Sequence, residues 1–171
     1  MSIGVATLTC LGQSINPPNF TFPANGAGNV SVSVVLDWSG VSNNQGYLYE
    51  IDITSSFNSS LKISGTSGRN SSNNLVRNLL FGQTYYWRVA IISSIDTSIW
   101  SNTRTFTTIN QPVLVNPSNN VTNINPSINI DWASLSGAQF FLYELDTTLN
   151  FNSTLKASGA TLGSVSEKEL E

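Results

Sequence analysis

The chain contains no histidine and a single cysteine, Cys10. Without imidazole it lacks the commonest acid–base group near neutral pH and the commonest transition-metal ligand. One thiol cannot form an intramolecular disulfide. With no histidine to activate it, Cys10 reads as a small apolar strand residue rather than a nucleophile. Charge is also scarce, at seven Lys and Arg against ten Asp and Glu for a net −3. No basic cluster offers the electrostatic footprint that a nucleic-acid backbone requires, and so mild an acidity implies no cationic partner. No stretch approaches the ~20 apolar residues of a membrane-spanning helix. Gly-rich phosphate loops, metal-spaced cysteine sets and nucleophile elbows are missing as well. These absences point away from an enzyme and call for no cofactor or metal.

What is present is polar and repetitive. Asn, Ser and Thr carry the surface in place of charge. Six Asn-X-Ser/Thr triplets, at Asn19, Asn29, Asn58, Asn70, Asn120 and Asn152, follow from that composition alone and need not be glycan acceptors. Residues 17–66 reappear without a gap as residues 111–160, an offset of 94. Asp37-Trp38 recurs as Asp131-Trp132, Tyr49-Glu50 as Tyr143-Glu144, and Phe57-Asn58-Ser59 as Phe151-Asn152-Ser153. A period of this length marks an array of small modules rather than one large fold.

Alternation of period two runs through the informative segments, and no sustained helical stripe appears, so the chain is all-β. Residues 29–38 set Val30, Val32, Val34 and Leu36 on one face and predict a half-buried strand ending near Trp38. In residues 46–53, Tyr47, Tyr49 and Ile51 form the core face, while Glu50 and Asp52 fall on a solvated one. Paired carboxylates can serve glycoside hydrolysis or calcium binding. Two residues apart on one strand, however, they do not face each other across a cleft. Gly65 to Asn74 reads as a loop. Tyr85 to Ile92 reads as a central strand, with Tyr85, Trp87, Val89 and Ile91 inward and Tyr86, Arg88 and Ala90 on the other face. Ser93 to Ser98 is a polar turn, and Trp100 to Thr108 a last strand.

Several of these residues carry a family resemblance: Pro18-Asn19-Phe20 with Pro23-Ala24-Asn25-Gly26, Trp38 closing a strand, and Tyr47-Leu48-Tyr49-Glu50-Ile51. Most specific are Leu79-X-Phe81-Gly82-X-Thr84-Tyr85-Tyr86-Trp87-Arg88-Val89 and Ile99-Trp100-Ser101 running on to Phe106-Thr107-Thr108. In these the chain resembles the fibronectin type III family, in the variety common in bacterial extracellular proteins. Phe81 departs from the proline that the family often has there. The resemblance implies an immunoglobulin-like antiparallel β-sandwich of seven strands. Trp38 would fill its centre, and Tyr85 would be its corner tyrosine.

The organisation expected is a segment 1–16 that is a linker or the end of a preceding module, a full fibronectin type III-like domain over 17–109, and a partial one over 110–171. The tail from Leu162 abandons the repeat and turns charged, so the second module is expected to be incomplete and open to self-association. The N-terminus, Met1 to Gln13, has no Lys or Arg ahead of its apolar residues and does not read as a signal peptide. The chain is either an excised piece of a secreted protein or a complete, intracellularly made virion component. On either reading it works as a non-catalytic spacer or adhesion module, or as a carbohydrate- or protein-binding module of a virion appendage, or as an accessory domain of a secreted enzyme. Its partners would be proteins or glycans at a cell or virion surface. The loops Ser39 to Gln45 and Ser93 to Ser98 are where specificity would sit. Tyr86 and Trp100 are the candidate ligand contacts, as aromatics not committed to the core face.

Overall fold

The computed structural model describes residues 16–94, 96–163 and 167–170, the last with side-chain detail at Lys168 alone. Cys10 and nearly all of the 1–16 segment lie outside the described residues. Thirteen strands run through the described residues. By contact the chain divides into two compact units. One holds the described residues up to Asn25, Val35–Val76 and Tyr85–Thr105; the other holds Gly26–Val34, Arg77–Thr84 and the described residues from Phe106 on.

In the first repeat the strands are β1 (Phe20–Phe22), β2 (Ala27–Val30), β3 (Val34–Trp38), β4 (Gly46–Asp52), β5 (Ile63–Gly68), β6 (Asn73–Val76), β7 (Thr84–Ile92) and β8 (Arg104–Thr108). They form a three-stranded sheet, β1-β3-β6, and a five-stranded sheet, β2-β8-β7-β4-β5. This is an immunoglobulin-like β-sandwich, with eight strands where the resemblance implies seven. The sheets meet through aromatic rings. Phe20 packs edge-on to Trp87 with centroids 4.4 Å apart, and Trp38 lies 5.4 Å from Tyr47. Tyr85, Trp87, Val89 and Ile91 are buried as their parity predicts, and so are Val30, Val34, Leu36, Tyr47 and Ile51. β2 pairs parallel with β8, whereas β1–β3, β4–β5 and β4–β7 are antiparallel.

Several elements differ from the sequence pattern: β8 begins at Arg104 rather than Trp100, and β6 takes in Asn73 and Asn74 from the expected loop. Residues 29–38 are not one strand. The chain leaves the ladder at Ser31–Ser33 and passes from the five-stranded sheet to the three-stranded one. Alternation survives the switch because Val30, Val34 and Leu36 all face the space between the sheets, so periodicity alone cannot reveal it. Gly65–Gly68, read as loop, belongs to β5. Gly65 lies opposite Tyr49, and a Cβ at Gly65 would come 2.5 Å from the tyrosine hydroxyl oxygen. The ring thus covers the glycine backbone across the ladder, and pairing overrides weak strand propensity.

The second repeat contains β9 (Leu114–Asn116), β10 (Ile128–Trp132), β11 (Phe140–Leu145), β12 (Ala157–Leu162) and β13 (Glu167–Leu170). Their sheets are β13-β10-β9 and the hairpin β11-β12. Trp132 and Phe141 are buried, with centroids 5.3 Å apart, reproducing the Trp38–Tyr47 contact. Tyr143 likewise seats on Gly159. The bonds Phe22–Pro23 and Asn116–Pro117, in matching positions, are both cis. The charged tail corrects the sequence reading. Its β13 pairs antiparallel with β10, Ile128 opposite Leu170 through Asp131 opposite Glu167, in the place β6 takes beside β3. The repeat therefore continues in backbone where it stops in side chains. Main-chain hydrogen bonds hold an edge strand, and charge on such a strand protects the edge.

The Tyr49–Gly65 seat makes a specific prediction. Gly65→Val, a change that raises intrinsic strand propensity, is expected to displace the Tyr49 ring and destabilise the first repeat by about 1–3 kcal/mol in denaturant titration. A gain in stability would show that the seat does not constrain the ring.

Candidate functional site

A polar cluster lies on the outward face of β4 and β7. The antiparallel register puts Glu50 directly opposite Arg88 and Asp52 opposite Tyr86. Arg88 donates from Nε and Nη2 to Glu50 Oε2 at 2.9 and 2.6 Å, and Lys62 Nζ reaches Glu50 Oε1 at 3.1 Å. The guanidinium lies 4.1 Å from the centre of the Phe57 ring and 4.5 Å from that of Trp100. Both distances fall within the range of cation–π attraction. Burial raises the Glu50 pKa, but the hydrogen bonds and charges of Arg88 and Lys62 outweigh it and hold the carboxyl below its ordinary value.

Of the two candidate ligand contacts, the structure brings Trp100 to this cluster as a seat for Arg88. Tyr86 is half-buried two residues before Arg88 on the same strand. The residues that sequence reasoning missed are Phe57 and Lys62, which arrive from the loop after β4.

That loop also corrects the reading of Glu50 and Asp52 as a solvated pair. The Glu50 side chain is only 13% exposed, and Asp52 is fully buried. The loop folds back over the end of β4 and aims its donors at Asp52. Ile53 N–H and Ser59 N–H donate at 2.7 and 2.9 Å, and the Thr54 hydroxyl at 3.2 Å, with the Ser59 hydroxyl completing the set. Burial raises the Asp52 pKa, and these bonds, led by Ser59, bring it below its ordinary value. The carboxylate anchors a turn, so period-two reasoning ends one residue too late here. Within the turn Phe57 takes φ 54°, a left-handed conformation that a bulky residue adopts only when its surroundings impose it.

The second repeat rebuilds the clamp. Asp146 accepts from Ser153 N–H at 2.9 Å, from Thr148 N–H at 3.3 Å and from the Ser153 and Thr148 hydroxyls; Phe151 takes φ 49°. The signal was present in the sequence as Asp-X-Thr with Phe-Asn-Ser three residues later, written twice. It is a turn anchor. Among the described residues, no three His, Cys, Asp or Glu side chains gather where they could hold a metal ion.

The loop Ser39 to Gln45 borders a shallow cleft of about 290 Å³ with Arg69 and Asn70 on its other side. The loop is tied down from within. Tyr47 Oη accepts from Val41 N–H at 2.9 Å, and the Asn44 amide donates to the Val41 carbonyl. Asn44 is buried, and its Oδ1 has no hydrogen-bond partner.

No family model and no curated protein matches the chain. Among solved structures, a two-domain fibronectin type III segment of chicken tenascin is similar over 91% of this chain and 82% of its own, at 13% identity and a TM-score of 0.44. The FN1–FN3 domains of chicken CNTN1 are similar over 91% of this chain, at 15% identity and a TM-score of 0.42. The chain spans 55% of that contactin segment. The fn3 domain of human contactin 1 is similar over 69% of this chain and 98% of its own, at 15% identity and a TM-score of 0.44.

The Asp146 clamp titrates in a defined window. Burial raises its pKa, but the Ser153 hydroxyl and the Ser153, Thr148 and Thr147 N–H groups lower it from 3.8 to about 2. A depressed carboxyl contributes stability that is present above its unfolded value and lost as pH falls through the folded one. Carboxyl NMR is expected to find Asp146 still ionised at pH ~3, with the 146–153 turn loosening only toward pH ~2. A midpoint near the unperturbed aspartate value would mean that the clamp is not formed.

Proposed function

We propose that this chain is a non-catalytic spacer or adhesion module of a surface-exposed multidomain protein. One observation carries the reading: what recurs at the 94-residue offset, in the same interactions, is framework. The Asp52 and Asp146 clamps, the Tyr49–Gly65 and Tyr143–Gly159 seats, and the Glu50–Lys62 and Glu144–Lys156 ion pairs all repeat. A protein that duplicates scaffold in this way gains length with each copy. The rings and the guanidinium cluster that join β4 to β7 suit it to bear load along that length. A cell surface, or alternatively a virion, is where such a spacer would hold protein or glycan partners away from its base. In this reading Trp100 is a framework residue, because one face of its ring already seats Arg88.

A second reading, as a carbohydrate- or protein-binding module, has the Ser39–Gln45 cleft in its favour. Buried Asn44 Oδ1, Arg69 and Asn70 offer polar groups of the kind that fix a sugar hydroxyl.

Single-molecule pulling of the 171-residue chain is expected to show a discrete unfolding event. Its length gain should be roughly 30 nm for the first repeat, at ~3.3–3.6 Å per extended residue. Gradual extension without a discrete event would defeat the spacer reading. Saturable glycan binding lost on Arg69→Ala, with the pulling trace unchanged, would favour the second.

A further inference from the structure

The framework recurs between the repeats, but one set of polar side chains does not. At the 94-residue offset Asn44 becomes Ala138, Tyr47 becomes Phe141 and Arg69 becomes Gly163. Each change removes a hydrogen-bonding or charged group, while the strand register is kept, Gly46 opposite Gly68 and Phe140 opposite Leu162. In the first repeat all three residues line the cleft of about 290 Å³ beside the Ser39–Gln45 loop. We propose that this cleft binds a carboxylate-bearing sugar residue, with Arg69 on the carboxylate and Asn44 and Tyr47 on a ring hydroxyl. The proposal rests on the second reading above and names its ligand.

Two polar groups at the cleft are left with capacity to spare. Asn44 is only 6% exposed. Its amide nitrogen donates to the Val41 carbonyl, which fixes the end of the side chain that is oxygen, and that Oδ1 is a buried acceptor without a partner. Buried acceptors are nearly always satisfied, so one left open beside a cleft calls for a donor from outside. Tyr47 Oη accepts from Val41 N–H at 2.9 Å and keeps its own proton for a further acceptor. A hydroxyl both donates and accepts at one oxygen, which answers an open acceptor and an open donor on the two sides of Val41.

Charge supplies the rest of the selection. Arg69 is the one charged side chain lining the cleft; it is exposed and has no hydrogen-bond or ion-pair partner among the described residues. In a chain of net −3, a cleft with a cation and no acid favours an anion. A planar guanidinium takes a carboxylate through two parallel bonds. Ser42, Asn43 and Asn70 add short polar groups that suit ring hydroxyls and provide no aromatic or aliphatic anchor for a peptide. Both walls are held in advance. Gln45 N–H donates to the Ile92 carbonyl at 2.6 Å, and the turn that carries Arg69 is closed by Ser71 N–H to the Gly68 carbonyl and by the Ser67 hydroxyl to the Ser71 carbonyl, each at 2.9 Å. Such preorganisation lowers the ordering cost of binding.

The test titrates the isotope-labelled 171-residue chain with methyl glucuronide, N-acetylneuraminic acid, neutral methyl glucoside and a capped glycyl-aspartyl-glycine peptide. Saturable NMR shifts at Val41–Asn44 and Arg69 are expected with at least one acidic sugar, the glucoside binding about tenfold more weakly or not at all. Arg69→Gln and Asn44→Ala should each lower affinity for that sugar by about tenfold or more. Arg69 is exposed and the second repeat carries alanine in place of Asn44, so both variants should keep the fold, which unchanged shifts along β7 would verify. Equal affinity for the glucoside and the acidic sugars, or for the native and Arg69→Gln chains, would overturn the acidic ligand and leave a neutral-glycan site. Tighter binding of the peptide would overturn it in favour of a protein partner. Absence of saturable shifts with all four probes would overturn both the proposal and the second reading.

Discussion

The Arg88 guanidinium is the point on which the outer face of the main sheet depends. It joins β7 to β4 through Glu50, to the loop after β4 through Phe57, and to Trp100 near the start of the last strand. Taking a carboxylate and a guanidinium partly out of water costs free energy, and partly buried pairs often only break even. Here the Glu50 pKa lies below its ordinary value, so attraction exceeds desolvation. The hydrogen bonds and charges of Arg88 and Lys62 are the sources, a charge-assisted bond contributing about 1.5–3 kcal/mol, and the two ring contacts separately stabilise the guanidinium by about 0.5–2 kcal/mol. Asp52 bonds Ile53, Thr54 and Ser59 on either side of Phe57, whose ring lies 4.1 Å from the guanidinium.

The internal repeat serves as a natural control for that arrangement. Strand β11 and its following turn keep the Tyr-Glu pair, the aspartate clamp and the left-handed phenylalanine. Yet Ile51 is fully buried, whereas Leu145 in the matching position is nearly half exposed. Sequence alike in kind thus has two environments, and among the described residues the difference is that β4 pairs with both β5 and β7 whereas β11 pairs with β12. Covering one aliphatic side chain of that size contributes about 1.5–3 kcal/mol, which is large beside the 5–15 kcal/mol that holds a domain together.

Much of this fold was legible in the residues. Period two identified the buried faces of β3 and β7, and the recurrence of Asp-Trp and Tyr-Glu identified the second repeat. Three features were not legible, each for a physical reason. Alternation does not record which sheet a strand belongs to, so the break at Ser31–Ser33 passed as continuous strand. Composition marks Gly65 as loop because it cannot show that a tyrosine on the next strand covers it. Side-chain polarity marked Glu167–Leu170 as outside the repeat because a ladder is made by main-chain groups that every residue shares. The candidate site was half legible. Arg88 and Trp100 were placed off the core face, but the carboxylates were read as solvated because Lys62 and the donors to Asp52 arrive from a loop with no period of its own, and because the Glu50–Arg88 pairing depends on a cross-strand register that alternation does not record.

The claim that a neighbouring strand alone separates the two environments is tested most directly by amide hydrogen exchange of both repeats in one sample. In antiparallel sheets successive residues bond to opposite neighbours. All amides of Tyr47–Ile51 should therefore be protected, whereas alternate amides of Phe141–Leu145 should exchange freely while those facing β12 stay protected. Equal protection along both segments in a monomeric sample would contradict the account, since it would require a strand on each side of β11.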